Sequence, residues 1–308
     1  MPGTAYIFPG QGSQYVGMGK DLYEKHVVAR DLFDAADSML GFSISKICFE
    51  GPEQELKQTK NTQPAIFLHS LAVCRLTGHN GVTMTAGHSL GEYSALVFAE
   101  AMTFEDGLKV VRLRGELMQR AGEEQQGTMA AVVGLEKTIV DEVCQQARVA
   151  GVVQAANFNS PGQVVISGSV AGVRRGMEIA RERGAKLVKE LIVSGAFHSP
   201  LMQHARQGLK AALEKTTIRD ARIPIFANVT AQPVQKAAEI RTLLGEQLTQ
   251  AVRWEESIQH MIASGTTTFM EIGPGKVLQG LVKRINTNVE VSGIDTAEDV
   301  EKLVTLST

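Results

Sequence analysis

Apolar and polar positions change period several times along the chain, and each change marks an element. Thr4 to Phe8 is a short β-prone run stopped by Pro9-Gly10-Gln11-Gly12-Ser13-Gln14, which predicts a buried strand opening into a loop. Residues 19–40 follow helical spacing, with Leu22, Phe33, Ala36 and Leu40 expected in the core, and a looser segment is expected to about residue 60. Asn61-Thr62-Gln63-Pro64 reads as the cap and first-turn proline of a helix through Leu76. That helix should bury Ile66, Phe67, Leu71 and Val73, with His69 and Cys74 as packed core groups. From Val82 to Ala86 the pattern is β-prone again; Gly87-His88-Ser89-Leu90-Gly91 interrupts it, and Leu90, Tyr93, Ser94 and Val97 resume helical spacing.

Residues 103–121 predict an amphipathic helix capped by Thr103. At about 100° per residue, Val110, Leu113, Leu117 and Ala121 share an apolar face with Met118 at its edge, whereas Lys109, Arg112, Glu116 and Gln119 lie opposite. Arg114 falls inside the apolar face. A guanidinium among core residues is costly without an anionic partner, and its neighbours one turn away, Val110, Val111, Leu117 and Met118, supply none. Two explanations stay open here: a salt bridge to an acid distant in sequence, or a ligand carboxylate held bidentately by the planar fork.

Beyond the polar stretch Gly122 to Gly127, the order becomes strand 128–134, helix 136–149, strand 152–158, strand 162–168, helix 169–183 and strand 185–192. This β-α-β-β-α-β order matches a ferredoxin-like unit and predicts a small domain at 126–196, inserted into a larger one made of 1–125 and 197–308. Gly195-Ala196-Phe197-His198-Ser199-Pro200 returns the chain to the larger body and opens a helix. Strand 223–229, helices 236–249 and 255–263, strand 267–272 and helix 276–285 follow. Strands alternating with helices predict an α/β fold around a mainly parallel sheet covered on both faces. Gly273-Pro274-Gly275, where a strand feeds a helix, reads as a tight turn or as a loop lining the sheet's C-terminal edge.

Composition narrows the class without choosing a function. A chain of 308 residues can bury a large core. Lys and Arg total 31 against 33 Asp and Glu, a net charge of -2, so no global field argues for nucleic acid or an acidic membrane surface. Local basic patches stay open. Cys48, Cys74 and Cys144 lie far apart, which fits a reducing compartment and speaks against a disulfide framework or structural zinc. The first residues read as a strand instead of a signal segment, and no apolar run approaches the ~18 residues of a membrane span. A soluble, cytoplasmic monomer is expected.

The chemistry enters at Gly87-x-Ser89-x-Gly91, set between a strand and a helix. At such a nucleophile elbow the serine backbone is strained, and glycines on either side relieve the crowding and expose the hydroxyl. The following helix also aims N–H groups at negative charge forming beside Ser89. His88 adjoins the serine but points away along a strand-like segment; His198, at the domain junction, is the preferred base. The 9–14 loop lacks the Gly-Lys-Ser/Thr of a P-loop and is either a tight turn or a loop whose N–H groups approach a ligand.

Phe8-Pro9-Gly10-Gln11-Gly12-Ser13-Gln14, Gly87-His88-Ser89-Leu90-Gly91-Glu92-Tyr93, the helix carrying Arg114, Ala196-Phe197-His198-Ser199, Gln247 ahead of Val252-Arg253-Trp254, and Gly273-Pro274-Gly275-Lys276 together resemble the malonyl-CoA:acyl carrier protein transacylases. The resemblance spans essentially the whole chain. It implies a hydrolase-like α/β body with a ferredoxin-like insertion, and ping-pong transfer of malonyl from coenzyme A to the pantetheine thiol of an acyl carrier protein. By the same resemblance Ser89 is the nucleophile, His198 its base, the backbone N–H groups of Gln11 and Leu90 the oxyanion hole, and Arg114 the clamp on the malonyl carboxylate. Gln247 would orient His198 through its main-chain carbonyl, making a dyad instead of a triad. Phe197 would crowd an α-methyl branch and so favour malonyl over methylmalonyl, with Met118 beside the substrate. No metal or organic cofactor is implied. The carrier partner is acidic in the family, and Lys186, Lys189 and Arg284 are candidates for its docking patch. A trans-acting polyketide acyltransferase would carry the same motifs. An esterase would place its histidine near the C-terminus after an acid, where the chain offers only His260. A catalytically dead scaffold would have no use for nucleophile, base and clamp together.

Overall fold

The computed structural model describes residues 3–79 and 81–306. Strand β1 (Gly3–Phe8) leads to helices α1 (Lys20–Lys25), α2 (Val27–Leu40), α3 (Ile44–Glu50), α4 (Glu53–Leu56) and α5 (Thr59–Thr77). Strand β2 (Val82–Gly87) feeds α6 (Gly91–Phe98) and α7 (Phe104–Glu124). Next come β3 (Gly127–Val133), α8 (Lys137–Ala147), β4 (Val153–Ser160), β5 (Gln163–Ser169), α9 (Val170–Glu182) and β6 (Leu187–Glu190). The chain then forms α10 (Gln203–Lys215), β7 (Ile225–Phe226), β8 (Pro233–Val234), α11 (Ala237–Gln247), α12 (Trp254–Ala263), β9 (Thr266–Ile272), α13 (Val277–Ile285), β10 (Glu290–Ile294) and α14 (Ala297–Leu306).

Six strands form the larger sheet in the order β10-β9-β1-β2-β7-β8, parallel throughout except for β8. Alternation along β1 explains why both faces are covered: Tyr6 and Phe8 enter one apolar cluster with α5, α6 and α7, and Ala5 and Ile7 enter another with α12 and α13. The smaller sheet is antiparallel, in the order β4-β5-β3-β6, and α8 and α9 supply its own apolar cluster. Backbone bonds tie the smaller sheet to the segment ahead of α12. Phe158 donates to Val252 O at 2.9 Å, and Val252 donates to Ala156 O at 2.8 Å.

Several expected elements differ. The single helix over 19–40 is broken at His26, whose extended backbone separates α1 from α2. The loose segment before residue 60 contains α3 and α4. Helix α5 begins at Thr59 behind Gln58, so Asn61-Thr62-Gln63-Pro64 lies inside it. Proline there leaves the Lys60 carbonyl without its helical donor; Arg112 supplies one, its Nη1 lying 2.9 Å away. The strand expected over 223–229 shrinks to β7, because Asn228 leaves the sheet to brace the elbow. On α7 the buried side turns toward Val111, Gly115 and Met118, leaving Leu113 and Leu117 half-buried and Arg114 at its centre.

Candidate active site

At the end of β2 the chain turns so tightly that Ser89 takes φ 51, in the left-handed region that costs a side-chain-bearing residue strain. Gly87 and Gly91 make the turn possible. A Cβ on the first would overlap the Gly91 backbone, and one on the second would overlap Phe8 O. Asn228 then clamps the strained turn from outside: its Oδ1 accepts from Ser89 N at 2.7 Å and its Nδ2 donates to Gly87 O at 2.7 Å.

The returning segment brings His198 over the elbow, also at positive φ (56). Its Nε2 lies 2.8 Å from Ser89 Oγ, while Nδ1 faces Gln247 O at 2.8 Å and Gln250 O at 3.1 Å. Two carbonyl acceptors place the proton on Nδ1 and leave Nε2 as the acceptor from serine. Among the described residues, no carboxylate holds this histidine. Burial, reinforced by the Arg114 charge, pushes His198 down to about 3 against the pull of the two carbonyls. It is neutral near physiological pH. His88 turns the other way and pairs its Nε2 with Asn159 Oδ1 at 2.9 Å.

Arg114 is fully buried. Its Nη1 donates to Gln63 Oε1 at 2.7 Å, and its Nη2 donates to Gln247 Oε1 at 2.8 Å and Ser89 Oγ at 3.0 Å. The Tyr93 ring lies beneath the guanidinium, 5.5 Å from its centre. Its acceptors are therefore two neutral amides and a hydroxyl, and among the described residues no distant acid forms the salt bridge that the sequence left open. Nearest in the network is Glu92, reached through Gln247, whose Nε2 donates to Glu92 Oε2 at 2.8 Å and Ser89 O at 3.0 Å. Burial pushes Glu92 up to about 7, opposed by its bonds from Gln247 and Asn228 and by the Arg114 charge.

These groups meet in a cleft of about 230 Å³ between the two sheets, lined by Gln11, Leu90, Met118, Phe197, Ser89, His198 and Arg114 among others. Each expected site residue thus lines this cleft, except Gln247, which stands behind His198. The Gly273-Pro274-Gly275 loop packs instead against Pro9 and Ser13 and supports the 9–14 loop from outside. Arg284 reaches the rim, its Nη1 2.6 Å from the cleft residue Gln163, whereas Lys186, just ahead of β6, and Lys189, on β6, are outside the lining. Sequence reasoning missed Gln63, Glu92 and Asn228. An acid in the first turn of a helix reads as a complement to the helix dipole, and an asparagine after a strand reads as turn chemistry, so neither signals a buried role. Among the described residues, no cluster of three or more His, Cys, Asp or Glu is placed to hold a metal, and no helix is long and apolar enough to cross a membrane.

An α/β sheet carrying an elbow serine hydrogen-bonded to a histidine is the architecture of acyl-transfer enzymes. The acyl transferase domain family matches residues 5–304, and the chain belongs to that family. It is 47% identical over 307 residues to the malonyl CoA-acyl carrier protein transacylase of Bacillus subtilis, covering 98% of this chain and 96% of that protein. The acyl-carrier-protein S-malonyltransferase of Bartonella henselae superposes with a TM-score of 0.95 at 42% identity, covering 99% of both chains. A malonyl-transacylase solved in complex with a type II polyketide acyl-carrier protein superposes with a TM-score of 0.95 at 37% identity, over 99% of both.

Proposed function

We propose that this acyltransferase moves a malonyl group from malonyl-CoA to the phosphopantetheine thiol of an acyl carrier protein through an ester on Ser89. The observation that carries the reading is Arg114, a buried guanidinium 3.0 Å from Ser89 Oγ with only neutral acceptors around it. A carboxylate two carbons from the reacting carbonyl supplies the direct anionic partner that Arg114 lacks.

In this mechanism His198 Nε2 takes the Ser89 proton as Oγ attacks the thioester carbonyl. The N–H groups of Gln11 and Leu90 receive the oxyanion. Collapse expels the coenzyme A sulfur, which takes the proton back from His198, and the carrier thiol reverses the sequence. Arg114 has a second effect. While unpaired it disfavours the imidazolium, so His198 is a weak base in the empty pocket; a substrate carboxylate neutralises that field and raises its basicity at the moment of attack. Phe197 and Met118 line the cleft, and a bulky side chain beside the acyl group disfavours a branch at its α-carbon. The inserted unit, 126–196, belongs to the ferredoxin-like type by its strand order, and a cytoplasmic monomer remains the expected form. Fatty-acid and polyketide carriers share the same thiol chemistry.

Intact-protein mass spectrometry after mixing with malonyl-CoA tests the reading: the wild type gains one malonyl group and passes it to a carrier, and Ser89→Ala gains none. A malonyl adduct retained in Ser89→Ala, or rapid hydrolysis without carrier, would overturn it.

A further inference from the structure

Glu92 is 4% exposed and lies in the first turn of α6, three residues beyond the serine in sequence. Its Oε2 accepts from Gln247 Nε2 at 2.8 Å and from the Asn228 backbone at 3.1 Å. By holding the nitrogen end of the Gln247 amide, it turns the oxygen end toward Arg114. The result is a buried relay from carboxylate through amide to guanidinium.

Every other titratable group facing this relay is uncharged near neutrality. Tyr93 on α6 is pushed up to about 12 by burial, His198 on the returning segment is held down to about 3, and burial also lowers His88 on the elbow. Among the described residues, Arg114 on α7 is the one cation and Glu92 the one anion of the network. Burial holds Glu92 up to about 7, with Arg114 among the groups that keep it ionised. A carboxylate arriving on Arg114 removes that support and adds a like charge.

We propose that Glu92 is the exchangeable counter-charge of the acyl pocket, ionised opposite Arg114 when the pocket is empty and protonated from solvent when an acyl carboxylate pairs with Arg114. The inference rests on the reading of Arg114 as a carboxylate clamp. Charge is conserved in the buried trio: one cation and one anion before loading, and one cation, one new anion and one neutral carboxyl after it. Linkage then requires that carboxylate-bearing substrates bind less well as pH rises, whereas acetyl groups, which do not touch the guanidinium charge, escape the effect.

The test measures KM for acyl-enzyme formation with malonyl-CoA and acetyl-CoA from pH about 6 to about 9, spanning the ordinary range of a titrating carboxyl held near neutrality. Their ratio cancels ionisation of coenzyme A and of His198. In the wild type the ratio should rise above neutrality, approaching about tenfold per pH unit. Glu92→Gln, which keeps an acceptor for Gln247, should flatten it. A flat wild-type ratio, or a slope that survives in Glu92→Gln, overturns the proposal while leaving the clamp intact. Failure to form a malonyl adduct at any pH instead sinks the functional reading. If Glu92→Gln does not fold, proton uptake by the wild type in weak buffer decides: uptake on malonyl loading but not on acetyl loading supports the proposal, and equal uptake overturns it.

Discussion

At the scale of single residues, the site is a set of buried polar groups whose charges are fixed by partners and by dehydration. Arg114→Ala removes a charge-assisted pair of the kind that costs on the order of 2 to 5 kcal/mol. Malonyl loading should therefore fall roughly 30- to 5,000-fold, measured as kcat/KM, and acetyl loading should be spared or improved because the field that weakens His198 is gone. Equal losses with both substrates would make Arg114 a structural residue. His198 gives a stability prediction with a defined sign. Its folded pKa is depressed to about 3, below the ordinary value of about 6.5, so the stability it contributes is full above about 6.5 and is lost as pH falls toward 3. Urea titrations should show an acid slope that His198→Gln reduces. Glu92 contributes in the opposite direction: its raised pKa makes the fold less stable as pH rises from the unfolded carboxylate value toward about 7. The guanidinium on an apolar stripe was legible in the sequence because periodicity alone exposes the conflict. The identity of its holders was not, since Gln63 lies 51 and Gln247 lies 133 positions away.

At the scale of elements, the turn after β2 and the crossing of α5 with α7 set the site's precision. Asn228→Ala removes both bonds that brace the elbow and leaves buried backbone groups unpaired, at about 1 to 3 kcal/mol for an unsatisfied group. We expect a lower denaturation midpoint with an unchanged m-value, and a lower kcat as Ser89 relaxes from its left-handed conformation. On α7, a Cβ at Gly115 would stand 2.8 Å from Thr59 O and 2.9 Å from Lys60 Cα. Gly115→Ala should force α5 and α7 apart at about 1 to 3 kcal/mol, separate Gln63 from Arg114, and raise KM for malonyl-CoA more than for acetyl-CoA. The elements over 127–190 were readable to within a few residues because most of their strand ends are marked by glycine, proline or polar residues. Helices α3 and α4 were not, being too short to establish a period, and the last element read from the pattern ended at residue 285, short of the glycine-bearing edge strand β10 and of α14.

At the scale of the whole molecule, the alternation of strands and helices was enough to predict the parallel sheet, and the switch of pattern near residue 126 was enough to predict the second sheet. Their joining was not legible, because it depends on backbone pairing of 156–158 with Val252 and on side-chain bonds between residues far apart in sequence, such as His88 with Asn159 and Arg284 with Gln163. Gln154, on β4, donates to His198 O at 2.8 Å and Thr249 O at 3.1 Å, so a residue of the smaller sheet holds the backbone of the histidine over the serine. Gln154→Ala should lower kcat with both acyl donors alike, a pattern that stopped-flow acylation separates from the malonyl-selective losses above.

The two chain crossings that connect the sheets also touch: a Cβ on Gly122 would overlap Ser194 O, and one on Gly195 would lie 3.1 Å from the Gly122 Cα. Together with the backbone bonds at Val252, this contact should couple melting of the smaller sheet to that of the larger one. Calorimetry on the intact chain should record one endotherm, and hydrogen exchange at β3 and β5 should report the same opening free energy as at β1.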